Sequence, residues 1–206
     1  MTKLDLQFLN ECEKGYIIGL FLGDGSLNSG RKTPRYIVRF ALDVKRDQDI
    51  ATRLAHIFQK AYKKVSTFPA ENTLIVKVCS KELVKFIQTY VGYKKDRNNQ
   101  KEKKLLAGKD WSFEFQYGLL AGIIDSDGHV HQHLGTEIKT VLPSTFQAIL
   151  NILNNLGIAA KTKRRKATKN SYSKKNSYTI YIPSRQIKIY LNKIPSVKIN
   201  RFLNKP

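Results

Sequence analysis

A glycine-spaced, apolar stretch occurs twice in this chain of 206 residues. The first copy sets Gly15, Gly19 and Gly23 four residues apart and follows them with Asp24 and Gly25. The second sets Gly118, Gly122 and Ser126 in the same rhythm, followed by Asp127 and Gly128. On a helix, positions i, i+4 and i+8 share one face, so each copy carries a stripe almost bare of side chains. Glycine inside a helix costs about 1 kcal/mol relative to alanine, and a repeated cost implies a packing reason. Close approach of a second backbone is that reason. One copy alone reads as a buried helix closed by a glycine cap. Two matched copies predict two helices packed against each other at the centre of a duplicated fold.

The ends of these helices carry acids. Asp-Gly after an apolar run predicts a helix stop, with the glycine in the left-handed conformation. Asp24 and Asp127 then sit at the negative ends of two helix dipoles, where a carboxylate is disfavoured. If the helices run parallel, the two carboxylates also approach and repel each other. A divalent cation relieves both effects, and oxygen ligands at a wet site suit Mg²⁺.

The remaining pattern repeats as well. Residues 35–45 alternate, with Tyr36, Val38, Phe40, Leu42 and Val44 on one face and Arg35, Arg39, Asp43 and Lys45 on the other; this predicts a half-buried strand with a basic outer face. A helix over 49–62, a strand over 73–79 and a helix opened by Ser80 follow. After the second motif come a strand near 137–141, a helix from Pro143 to Leu156 stopped by Gly157, a basic excursion, a strand over 178–182 and a helix opened by Ser184. Residues 26–34 and 92–104 read as loops. The shared order predicts an α+β fold of two subdomains related by a pseudo-twofold axis, 1–91 and 114–206, joined by a basic linker over 92–113.

Lys and Arg number 37 against 16 Asp and Glu, a formal charge of +21. Such an excess points to nucleic acid as partner. No acidic residue follows Glu137, yet that region is rich in Ile, Leu and Tyr and is expected to fold. Cys12 and Cys79 lack metal-site spacing, and His129, His131 and His133 have no accompanying ligand set for zinc. No secretory signal or membrane-spanning run is visible, which predicts an intracellular protein, cytoplasmic or in an organelle matrix.

The motif residues resemble the two signature motifs of the LAGLIDADG homing endonucleases. Leu120, Ala121, Gly122, Ile123, Ile124, Asp125, Ser126, Asp127 and Gly128 fit that nine-letter pattern almost letter for letter. Ile17 to Gly25 fits more loosely, with Leu22 where the first Asp stands, so the halves are unequal around the site. The resemblance implies a DNA-binding saddle of duplicated αββαββα subdomains, with the motif helices at their interface. It implies hydrolysis of one phosphodiester in each DNA strand at a long, asymmetric target by a monomer. The catalytic acids fall on Asp24 and Asp127, which with Gly23 and Ser126 are the expected metal site, for two or three Mg²⁺ ions, Mn²⁺ being the expected substitute. A basic residue in each half is expected to support charge on the phosphate. Lys101 and Lys198 share a sequence frame and are favoured, over Lys45, Lys103 and Lys193.

Double-stranded DNA is then expected to meet Arg31, Lys32, Arg35, Arg39, Lys45 and Lys77 in the first half. Lys139, Lys161, Lys163, Arg164, Arg165, Lys166, Lys169, Lys174 and Lys175 are the counterparts in the second, with 161–175 as a hairpin along the phosphates. The chain lacks splice-junction residues and reads as a free-standing or intron-encoded nuclease of a mobile element. The competing reading is a maturase or regulator that keeps the scaffold without cleavage; retention of both acids favours the enzyme.

Overall fold

A computed structural model of the chain describes residues 5–29, 36–61, 64–95, 101–106, 110–166 and 176–203. The first half runs α1 (Glu11–Asp24), β1 (Gly25–Ser29), β2 (Tyr36–Asp43), α2 (Gln48–Ala61), β3 (Val65–Ala70), β4 (Thr73–Cys79) and α3 (Lys81–Tyr90), then a hairpin of β5 (Val91–Lys95) and β6 (Lys101–Leu105). The second runs α4 (Phe113–Asp127), β7 (Gly128–Val130), β8 (Thr136–Thr140), α5 (Pro143–Asn155), β9 (Lys161–Arg165), β10 (Ser177–Ile182), α6 (Ser184–Ile189) and α7 (Val197–Leu203). Each half therefore contains the expected αββαββα series. The antiparallel sheets have orders β1-β2-β4-β3 and β7-β8-β10-β9, the same path taken twice.

Local chemistry sets these boundaries. Asn10 and Glu13 form a capping box at the start of α1, each side chain bonded to the other's backbone N–H. Ser80 caps α3 by accepting the Leu83 N–H at 3.1 Å. Gly157 at φ +69° ends the turn after α5. Ser184 is the first residue of α6 and makes no cap bond; Pro183 holds the cap position. The alternation of β2 is expressed as buried Val38, Phe40 and Leu42 beneath α1 and α2, where Phe40 meets Phe21 edge-on at 6.0 Å. One apolar core runs through both halves.

The residue patterns do not mark β1, β3, β7, the β5–β6 hairpin or α7. β1 and β3 lie where no strand was expected, and neither shows apolar alternation. β3 is an edge strand carrying Pro69, its last five residues exposed, so burial leaves no pattern on it. The span read as a basic linker, 92–113, contains β6 and most of β5. Its hairpin is anchored by buried Val91 facing buried Leu105, with charged residues between them.

Candidate active site at the ends of the paired helices

Helices α1 and α4 pack in parallel along their length through the glycine stripes. A Cβ at Gly19 would lie 2.2 Å from the Leu119 carbonyl oxygen, and one at Gly122 would lie 2.3 Å from that of Tyr16. Neither clash can be relieved by turning a side chain, because the obstacle is backbone. Gly23 instead faces the side chains of Ser126 and Asp127, the nearest atom 2.5 Å from where a Cβ would lie, and the two acidic helix ends come together there.

The glycines that follow the acids are not left-handed as expected. Gly25 (φ −85°, ψ 153°) and Gly128 (φ −79°, ψ 147°) are extended and lead straight into β1 and β7. Their requirement is space. A Cβ at Gly25 would lie 2.1 Å from the Phe21 ring, and one at Gly128 would lie 2.6 Å from the Ile124 carbonyl oxygen.

Asp24 and Asp127 are the last residues of their helices; Asp24 is half-buried and Asp127 keeps an exposed surface. Burial raises the Asp24 carboxyl to about 7, with Asp127 adding to the rise and the ammoniums of Lys198 and Lys103 opposing it. Loss of hydration raises Asp127 too, against the pull of the same two lysines. Lys103 is lowered to about 8 by burial, with both acids opposing. Desolvation thus outweighs the two ammoniums and disfavours charge on both acids. An all-oxygen donor pair in that condition fits a hard divalent cation. Among the described residues, no cluster of three His, Cys, Asp or Glu side chains offers a metal site.

The lysines occupy corresponding places on different elements. Lys103 on β6 donates through Nζ to the carbonyl oxygens of Phe21, Gly23 and Gly25, at 2.9, 2.7 and 2.8 Å. Lys198 on α7 donates through Nζ to those of Ser126 and Gly128, at 3.0 and 3.1 Å. Each ammonium meets the carbonyls at one helix C-terminus. The carbonyls of Gly23 and Ser126, both read as metal ligands, therefore accept from lysine. Lys103, named as a rival to Lys101, is placed opposite Lys198. The Lys101 side chain lies outside the described residues. The matching frames do not reveal the Lys103–Lys198 correspondence, because one lysine arrives on a strand and the other on a helix.

Behind Lys198 lies a carboxylate that sequence reasoning gave no role. Asp125 is 0% exposed. Its Oδ1 accepts from Ser196 Oγ at 2.6 Å and the Lys198 backbone N–H at 3.0 Å. Its Oδ2 accepts from Tyr16 Oη at 2.9 Å and the Val197 N–H at 2.9 Å. Arg53 lies over the Tyr16 ring, 4.2 Å from its centroid, and donates to the Pro195 carbonyl. The first motif has Leu22 at this position, and Leu22 lines a recess of mixed character with Ile123, Ile149, Lys103 and Asp127. An acid inside an otherwise apolar motif is the signal that could have found this cluster, since burial there demands donors.

The predicted DNA contacts divide by face. Arg39 pairs in register with Ser26 and Lys77, and Lys77 with Ser66, in one row across the first sheet's outer face. Lys139, Thr179 and Lys163 form the matching row of the second sheet, with Tyr181 and Lys161 beside it and Arg165 opposite Ser177. Arg164 does not join them: it pairs with inward-facing Tyr178, over whose ring its guanidinium lies at 5.6 Å. Lys166 is exposed beyond β9, and Lys45 is exposed in the turn after β2. Arg31, Lys32, Arg35, Lys169, Lys174 and Lys175 lie outside the described residues.

Comparison with known proteins agrees with this geometry. The family profile for homing endonucleases matches residues 112–201, and the profile for the WhiA LAGLIDADG-like domain matches residues 13–105. The solved structure of the homing endonuclease I-DmoI superposes with a TM-score of 0.63 at 15% identity, covering 90% of this chain and 97% of that one. I-WcaI, bound to its DNA recognition sequence, gives 0.57 at 14%, covering 100% and 89%. The N-terminal LAGLIDADG domain of WhiA gives 0.55 at 13%, covering 96% and 90%. I-DmoI has been solved in complex with DNA and Mn and with DNA and Ca. A search of curated protein sequences gives no match. The chain belongs to the LAGLIDADG homing-endonuclease family, in the form that carries both motifs on one polypeptide. Among the described residues, no helix is long and apolar enough to cross a membrane.

Proposed function

We propose that this protein is a site-specific, divalent-metal-dependent DNA endonuclease that cuts one phosphodiester in each strand of a long, asymmetric target as a monomer. The observation that carries this reading is the pair of carboxylates at parallel helix ends, both raised by burial and each near the two flanking ammoniums. Asp24 and Asp127 would hold the cation. When bound there, a divalent ion supplies activation of water and stabilisation of the leaving oxygen. Lys103 and Lys198 would balance charge that develops on the phosphate as the water oxygen adds to phosphorus and the bond to the leaving oxygen breaks. The rows through Arg39 and Lys77, and through Lys139 and Lys163, would lie along DNA on either side. Two-stranded ribbons of this kind fit the major groove.

A second reading has its own support. The first half matches a WhiA-like domain, and Leu22 replaces an acid there; a DNA-binding regulator or maturase is the function that follows. Incubation with a randomised DNA library and Mg²⁺, followed by sequencing of the ends, separates the two. Discrete breaks at one asymmetric site, absent with Asp127→Asn, are expected. Tight binding without breaks in Mg²⁺ or Mn²⁺ would establish the regulator instead.

A further inference from the structure

We infer that Asp125 is a positioning residue that seats α7 and thereby fixes the Lys198 ammonium at the end of α4. The inference builds on the endonuclease reading, but its geometry stands independently. The Asp125 carboxylate accepts four hydrogen bonds, two at each oxygen. Three come from Ser196, Val197 and Lys198, the residues that begin α7. All four partners donate, so the acceptor sites of the buried carboxyl are filled. Ser196 is 0% exposed and accepts the Ile199 N–H in turn, so the first turn of α7 has little freedom apart from Asp125.

The first half lacks this device. Leu22 stands in the place of Asp125, and Lys103 arrives instead on a hairpin with three carbonyl bonds to the end of α1. The two ammoniums therefore meet corresponding carbonyls but are carried there by unrelated elements. Disturbing Asp125 should release one and leave the other in place. A role confined to general stability would show no such preference.

The test compares Asp125→Asn, Asp125→Leu, Lys198→Met and the Asp125→Asn/Lys198→Met pair on supercoiled target DNA, following each strand separately. Thermal melting and DNA binding in Ca²⁺ report folding, and Asp125→Asn, which preserves shape, carries the test if the leucine variant does not fold. Cleavage of the strand impaired by Lys198→Met should slow about 10- to 100-fold relative to the other strand, the usual cost of losing a residue that orients a site ligand. Nicked circles should accumulate. The paired variant should be no slower on that strand than Lys198→Met alone, because the two changes remove one interaction chain.

Equal slowing of both strands, or fully additive effects, would overturn the positioning role while leaving the endonuclease reading intact. A wild-type chain that cuts neither strand would sink that reading instead. Lysine acetylation followed by mass spectrometry then still decides the positioning role. Lys198 should label about 5- to 10-fold faster in Asp125→Asn, as expected for the loss of one or two net hydrogen bonds, with Lys103 unchanged. An unchanged Lys198 rate would refute it.

Discussion

Asp24 shows how a single carboxyl group sets conditions for the site. Its pKa of about 7 lies above the ordinary value of 3.8 because burial and Asp127 both disfavour its charge. The folded chain therefore holds a proton that the unfolded chain has released between about pH 4 and pH 7. The corresponding stability is fully present below that window and lost as pH rises through 7. Asp24→Asn should flatten the slope and stabilise the metal-free protein at pH 8 by on the order of 1–3 kcal/mol, as read by denaturant unfolding. Ca²⁺ affinity measured by calorimetry should fall as pH drops below about 7, because the cation must displace that proton. A variant no more stable than wild type would show that the acid is compensated by other means. Lys103→Met should lower cleavage at least 100-fold while preserving binding in Ca²⁺, the scale expected for loss of a donor to developing charge. Lys101→Met should leave cleavage within about tenfold, since a phosphate contact contributes mainly to affinity; a larger loss would return Lys101 to the active site.

At the scale of elements, the paired helices and most boundaries were legible in the sequence. Glycine spacing gave the interface because backbone contact excludes every larger residue. The strands that escaped notice were β1, β3, β7 and the β5–β6 hairpin, which are short or largely polar and leave no apolar period to read. The correspondence of Lys103 with Lys198 escaped for a related reason: the two are equivalent in space, but not in local structure, so no repeat in the letters connects them. The glycine stripes give a sharp prediction. Gly122→Ala should destabilise the chain by about 2–4 kcal/mol, because the added methyl group meets backbone on the partner helix. Gly92→Ala, whose Cβ would lie 3.0 Å from a mobile Leu106 methyl, should cost less than about 1 kcal/mol. Chemical denaturation of both variants checks the contrast, and equal costs would mean that the helices can slide apart.

For the molecule as a whole, a charge of +21 guarantees attraction to any polyanion but says nothing of where it lands. The register of β9 is more informative, because Lys161, Lys163 and Arg165 share one face and Arg164 takes the other. Replacing the three by alanine should reduce the slope of log affinity against log salt by about 2–3, close to one unit for each phosphate no longer neutralised. Arg164→Ala should change it by less than about 0.5. Fluorescence anisotropy on duplex DNA over a salt series measures both, and an equal effect of Arg164→Ala would mean that the edge strand turns as a whole onto the phosphates.

The Asp125 cluster has a further consequence for how the molecule is made. Its carboxylate lies 71 residues before Ser196 in the chain, and three of its four donors come from residues 196–198. On the ribosome, both motif helices are synthesised well before those donors, and early segments begin to fold first. Until residues 196–198 arrive, Asp125 has only Tyr16 among these partners and cannot settle in the apolar interface without cost. Docking of α7 therefore couples burial of Asp125 to the arrival of the Lys198 ammonium at the end of α4.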